Sequence, residues 1–282
     1  ALENNPEIEK LEWQYQIASE KVNEVNSLPN TQFNFGIMAI KPEMEMPMDR
    51  FRVSVMQMFP WFGTIRARED YITSQSDTKQ MDITIAKRKL ELAVADFYYL
   101  LYEIRTKGIV LSQQISLLET YEKLALNAVE IGKASAVDVL KLQIRQNELL
   151  KQKNLLTQQD QGIQAAFNSL LNREYDQEIT ITHELHIPED DAILEFEAIT
   201  QNPELTKFDV MYNSVEQLEQ LNQKERAPSF GVGIEYINQE SSPMITSSFK
   251  DMVMPMFSLS IPIFNKKYKS QTKQNQLQLQ EI

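Results

Sequence analysis

The sequence predicts a mainly α fold with a small β part: long antiparallel, coiled-coil-like helical hairpins plus two β-hairpins. Three observations predict it. A whole subdomain is duplicated: Asn5-Pro6-Glu7-Ile8 and Asn202-Pro203-Glu204-Leu205 open similar polar, helix-like stretches whose starts lie 197 positions apart. Each stretch is followed by two runs that alternate apolar and polar residues. Between the copies, Thr64 to Ile131 holds no proline and repeats its apolar residues every seven positions. The period of the duplication is too long for a solenoid, so the unit is helix, strand, strand, helix.

Residues 1–30 form the first helix, with Pro6 tolerated in its first turn. Residues 31–62 form a β-hairpin. In its first run Phe33, Phe35, Ile37 and Ala39 share one face; in its second, Phe51, Val53, Val55 and Phe59 oppose Arg52, Ser54, Met56 and Met58. Residues 63–171 form a long helical hairpin. Its outgoing seam is Ile83, Leu90, Phe97, Ile104, Leu111, Leu118 and Ala125, and its returning seam is Leu142, Leu149, Leu156, Ile163 and Leu170. At ~1.5 Å per residue the outgoing helix could span about 100 Å.

The hairpin tip lies near residues 131–135. Gly132 is placed as a left-handed C-terminal cap, and Ser135 with Asp138 resembles a capping box for the returning helix. Residues 172–200 are a mixed segment with a short β-like run, Ile179-Thr180-Ile181-Thr182. Residues 201–228 repeat the first helix. Residues 229–264 repeat the β-hairpin, with Phe230, Val232, Ile234 and Tyr236 opposing Gly231, Gly233 and Glu235, and Phe257, Leu259 and Ile261 opposing Ser258 and Ser260. Residues 265–282 begin a second long hairpin that the sequence does not complete, so the chain reads as a processed or truncated product of a longer one.

Composition narrows the function. The net charge is −12, which argues against nucleic acid, where cationic side chains must neutralise phosphate. There are no cysteines, so disulfides, thiolate metal sites and a cysteine nucleophile are excluded. No run reaches the ~18 consecutive apolar residues of a membrane helix. The opening Ala1-Leu2-Glu3-Asn4 has neither the basic start nor the apolar core of a signal peptide. Neither a Ser-His-Asp set, a phosphate-cradling glycine loop nor paired catalytic carboxylates stand out, so an enzyme is not expected and no cofactor is implied.

The strands point toward a membrane. Their lengths approach the ~9–11 residues of a membrane-spanning strand, with one apolar and one polar face. Four strands cannot close a barrel alone, and open edges need partners. The aromatic cluster Phe59, Trp61 and Phe62 sits at a strand end, where an interfacial girdle belongs. The alternative is a periplasmic coiled-coil spacer without a pore, but a spacer has no reason to gather Phe, Val and Ile on one continuous face.

The Asn-Pro-Glu opening, the strand-ending Pro60-Trp61-Phe62-Gly63 and the run Ile131-Gly132-Lys133-Ala134-Ser135-Ala136-Val137-Asp138-Val139 carry a resemblance over essentially the whole chain. The chain resembles the TolC-type outer membrane factors, including their heavy-metal (cation) efflux branch. That resemblance implies a homotrimeric α-barrel/β-barrel conduit in the outer membrane of a Gram-negative bacterium, with its helices in the periplasm. Each subunit would give four strands to a shared 12-stranded barrel. The family carries drugs or metal cations in tripartite efflux pumps and type I secretion systems. Its implied partners are outer membrane lipid, a periplasmic adaptor (membrane fusion) protein and an inner-membrane transporter of RND or ABC type. Ile131, Gly132 and Lys133 would meet the adaptor. Pro60, Trp61, Phe62, Gly63, Pro262 and Phe264 would form the strand-to-helix junctions. Where the family often has Arg-Tyr before the tip glycine, this chain has Ala128-Val129.

Methionines and histidines are the remaining candidates. Met252, Met254 and Met256 share one strand face, with Met56 and Met58 on the matching face of the first copy and Met44, Met46 and Met48 in a turn region. Thioethers are soft ligands suited to Cu(I), and equally adaptable packing residues, so no metal site is assigned. His183 and His186 fall on opposite faces of an extended chain and read as surface residues. Glu189, Asp190 and Asp191 read as a solvated loop, or as a rim that attracts cations.

Overall fold

A computed structural model describes residues 1–37, 48–182, 185, 201–240, 251–264 and 266–282. After a 3-10 turn at Leu2–Asn4 come α1 (Pro6–Val25), β1 (Gln32–Ile37), β2 (Met48–Phe59), α2 (Thr64–Glu130), α3 (Ala136–Leu170), α4 (Pro203–Glu225), β3 (Ser229–Glu240), β4 (Met252–Ser260) and α5 (Lys266–Glu281). The mainly helical class with long hairpins and a small β part is borne out. Ala39, Met44, Met46, His183, His186 and the acidic run 189–191 lie outside the described residues. The chain divides into two compact units: Ala1–Glu12 with Ile83–Phe196, and Trp13–Asp82 with Glu197–Ile282.

The duplicated Asn-Pro-Glu phrase is a helix start. Asn5 Oδ1 accepts from the backbone N–H of Glu7 at 2.9 Å and of Ile8 at 3.3 Å. Asn202 Oδ1 accepts from Glu204 N–H at 3.0 Å, with Pro203 in the first turn. Asn satisfies an orphan donor, Pro has no donor to waste, and Glu sits where the helix dipole favours an anion.

In the first unit α2 and α3 form the predicted antiparallel hairpin. The seam residues Ile83, Leu90, Ile104 and Leu149 are buried. A second row in the same seven-residue step runs through Val94, Leu101, Gly108, Ile115, Glu122 and Val129, apolar except at Gly108 and Glu122. Together the rows give the alternating three- and four-residue spacing of a coiled-coil interface. Leu101 is fully buried against Phe167 of α3 and Ile179, with Phe97 stacked on Phe167 at 6.0 Å.

The segment after α3 departs from expectation. Ile179–Thr182 pairs with no strand among the described residues. Arg105 holds it instead: Nη1 donates to Ile179 O at 2.6 Å while Nε donates to Asp160 Oδ1 at 2.8 Å and Nη2 to Gln164 Oε1 at 3.1 Å. The alternation of Ile and Thr reflects Ile179 and Ile181 packing on the helices, not a ladder. Asn172, with φ 54°, ends α3 by the same left-handed turn a glycine would make; Arg173 N–H reaches Asn168 O at 2.9 Å.

In the second unit, serines let helices approach closely. Ser74 Oγ donates to Ser214 Oγ at 3.1 Å, and the Ser19 and Ser76 hydroxyls meet at 3.0 Å. Glu219 of α4 anchors a polar network with α5. It accepts from Asn275 Nδ2 at 2.7 Å, Thr272 Oγ1 at 3.0 Å, Gln223 Nε2 at 3.3 Å and Asn222 Nδ2 at 3.5 Å. Asn275 itself is almost fully buried.

Desolvation pushes the Glu219 carboxyl up, but the four donors together outweigh it and hold it below the ordinary glutamate range. A depressed carboxylate contributes stability that is present above its unfolded pKa, about 4.3, and drains away as pH falls through the lower folded value. The wild-type chain is therefore expected to lose stability between about pH 5 and pH 3 more steeply than Glu219→Gln. Urea titrations at several pH values read this; parallel pH profiles would refute it.

Candidate functional site

The four strands form one antiparallel sheet in the order β1-β2-β3-β4. The two hairpins are therefore joined through β2 and β3, where Val55 lies opposite Ile234 and Val53 opposite Tyr236. Rungs across all four strands alternate between two faces. On one face run Phe33–Val55–Ile234–Pro255 and Phe35–Val53–Tyr236–Val253. Phe257 and Leu259 extend this face, and Phe33, Phe35, Ile37, Ile234, Val253 and Phe257 are all exposed. A contiguous exposed apolar surface of this kind marks a membrane or protein contact.

On the opposite face run Gln32–Met56–Gly233–Met256, Asn34–Ser54–Glu235–Met254 and Gly36–Arg52–Ile237–Met252. Polar groups there pair with one another. Asn34 Nδ2 donates to Ser54 Oγ at 3.2 Å, and Arg52 pairs with Asp49 at 2.5 Å and Glu235 at 3.7 Å. The sheet thus has one apolar face and one mixed face, on which polar residues alternate with methionines and glycines. Among the described residues β1 and β4 are open edges, whose unpaired backbone groups call for further strands.

The junctions of strand and helix are short. Gly63, at φ 80°, turns β2 into α2, and Thr64 N–H reaches Trp61 O at 3.0 Å. Phe62 packs on Phe230 at 5.9 Å, Phe230 on Phe59 at 5.6 Å and Trp61 edge-on to Phe62 at 5.8 Å. Arg68 and Glu225 pair at 3.1 Å beside Pro60 and Pro262. In the second copy Phe264 is exposed. Phe59, Trp61, Phe62 and Phe230 therefore gather where β2 ends and β3 begins, and Phe264 is not part of that cluster.

The helical hairpin closes at Gly132. Its φ is 73°, Gly132 N–H reaches Val129 O at 3.0 Å, and Lys133 N–H reaches Ala128 O at 2.8 Å. Those two bonds are the Schellman pattern. Ser135 caps α3 by accepting from Val137 N–H at 3.2 Å. The expected reciprocal half of a capping box is replaced: Asp138 turns to Lys141 at 3.5 Å, because its side chain is one carbon shorter than the usual Glu. Ile131 is 66% exposed at the turn, and Val137, Leu140 and Ile144 are exposed along the following helix. Behind the tip, Glu122 of α2 accepts from Gln143 at 2.7 Å and Gln146 at 2.9 Å, which pins the two helices in register.

Neither a protein-family model nor a curated protein sequence matches the chain. Solved structures do. The outer membrane protein VceC from Vibrio cholerae superposes with a TM-score of 0.74 at 13% identity, over 99% of this chain and 71% of that one. The MtrE outer membrane channel of Neisseria gonorrhoeae gives 0.67 at 15%, over 99% and 66%. The CmeC outer membrane channel of Campylobacter jejuni gives 0.67 at 12%, over 99% and 64%. This chain has the fold of the outer membrane channel proteins. The TolC-type resemblance read from its motifs holds at the level of that fold.

Proposed function

We propose that this chain is a subunit of a passive outer membrane efflux conduit, a non-enzymatic trimer that leads from periplasm to exterior. The observation that carries the reading is the two-faced sheet with open edges at β1 and β4. Three such sheets joined edge to edge make a closed 12-stranded barrel, and closure is what removes edges in a bilayer. The exposed Phe33, Phe35, Ile234 and Phe257 then face lipid, and the opposite face lines the pore. Phe59, Trp61 and Phe62 form the interfacial girdle.

In this reading the helices lie in the periplasm and the tip Ile131, Gly132 and Lys133 receives the adaptor of an inner-membrane transporter, RND or ABC in type. The exposed Ile131 beside a tight turn supports that contact. Substrate choice, whether drugs or metal cations, belongs to the transporter, because a wide duct discriminates little.

Detergent-extracted protein is expected to have the mass of a trimer and to open steady single channels in planar bilayers. Monomeric mass with no conductance would refute the reading. Ile131→Glu is expected to abolish efflux in cells while trimer and conductance persist, because Ile131 is 66% exposed at the turn and is not its left-handed residue. Loss of the trimer instead would give the tip a folding role.

A further inference from the structure

The start of α2 leaves donors without acceptors. Gly63 stands just before the helix, at φ 80°, and has no side chain to receive the first backbone N–H groups. Thr64 N–H reaches Trp61 O and Ala67 N–H reaches Gly63 O, both at 3.0 Å. Between them, the N–H groups of Ile65 and Arg66 take no backbone acceptor among the described residues. Thr64 is 3% exposed, and its hydroxyl has no hydrogen-bond partner among the described residues. A buried polar group without a partner is costly and calls for an explanation.

Cations gather at the same point. The Lys224 ammonium, in the last turn of α4, lies 3.7 Å from the position a Cβ on Gly63 would take. A lysine in a last turn ordinarily favours the carbonyl end of its own helix. This one reaches the amino end of another, where like charges meet. The adjoining Glu225 pairs with Arg68 at 3.1 Å instead, and Lys224 has no ion pair among the described residues. Positions 224–226 and 266–269 together hold five cations and one carboxylate, so the local field is positive in a chain of net charge −12.

Thr64, Arg68, Lys224, Ser229, Ser260 and Tyr268 line one pocket of about 280 Å3, all within the second unit. That is room for several waters or one tetrahedral oxyanion. Ser229 and Ser260 lie opposite each other, on the face away from Phe230 and Leu259. The pocket therefore belongs to the mixed face of the sheet, not to the apolar one.

We propose that this pocket binds the phosphate group of a dissolved anion, inorganic phosphate or a phosphate monoester. An anion seated there accepts from the Ile65 and Arg66 N–H groups and from the Thr64 hydroxyl, and separates the Lys224 ammonium from the positive end of α2. Arg68 commits one of its five N–H groups to Glu225 and keeps others for the ligand. In the conduit reading the site faces the duct, but binding needs only the folded junction.

The test uses the full chain in detergent, with radiolabelled inorganic phosphate in equilibrium dialysis. One phosphate per chain is expected. Lys224→Gln is expected to weaken binding about tenfold and Thr64→Val about fivefold, as for a charged and a neutral hydrogen bond. Lys151→Gln in α3 removes the same charge elsewhere and is expected to change nothing. No binding, unchanged affinity in both pocket variants, or equal weakening by Lys151→Gln overturns the proposal. On the wild-type chain, exchange of the Ile65 and Arg66 N–H groups is expected to slow about tenfold at phosphate ten times its Kd, a readout that needs no variant. Unchanged exchange at that concentration also overturns it. Phosphatidylglycerol in the micelles is expected not to displace the phosphate; displacement would give the site to a lipid headgroup and overturn the dissolved anion. A channel that conducts but binds no phosphate leaves the conduit reading intact, and a chain that binds phosphate without conducting leaves the site intact.

Discussion

Ile234→Arg is expected to cost about 2–4 kcal/mol of folding stability in a bilayer and to keep much of the protein out of it. Ile234 lies on β3 in the middle of the apolar face, flanked by Val55 and Pro255, and is 56% exposed. If that face met water, a charged residue there would change stability by less than about 0.5 kcal/mol. The two readings thus differ by several-fold in one measurement, urea titration of folding into lipid vesicles followed by electrophoretic mobility. Gln32→Arg provides the control. Gln32 belongs to the opposite face, in the rung with Met56, and is expected to insert normally. Normal insertion of Ile234→Arg would mean that lipid does not cover this surface.

The second large effect is on stability. Leu101→Ala is expected to destabilise the first unit by about 2–5 kcal/mol, toward the upper end because no solvent reaches the site to relax the cavity. Leu101 is 0% exposed and shares one buried cluster with Phe167 and Ile179. Ile179 carries the carbonyl that Arg105 holds, so the extended segment should loosen with the cavity. Hydrogen exchange should rise at Ile179 and Ile181 along with the helices around Leu101. A loss below about 1 kcal/mol would mean that the hairpin packs without this residue.

Much of the architecture was legible because its causes are local. The Asn-Pro-Glu phrase caps a helix through atoms two and three residues away. Gly132 ends α2 by its own φ. Period-two alternation separates the sheet faces whatever pairs with what. The heptad seam is legible in part: the row through Leu101 is broken by Gly108 and Glu122, whereas the row through Phe97 is unbroken. The Ile-Thr run at Ile179 misled for a related reason, since alternate packing against helices imitates a strand.

The candidate sites divide the same way. The tip turn and the aromatic junctions could be placed from sequence, because neighbouring residues make them. The pocket at the start of α2 could not: the end of α4 and the register of β3 on β4 bring Lys224, Ser229 and Ser260 to Gly63 and Thr64. The Arg105 tie and the Glu219 network likewise join residues tens of positions apart. Apart from the Ile179 run, helix, strand, cap and apolar face follow from backbone preference and periodicity within a few residues, so the amino-acid order alone specifies them. That the two hairpins share one sheet, and in which register, is fixed by contacts between distant segments. Alternation constrains strand pairing only to steps of two residues, and the contacts that select one step lie about 180 positions apart.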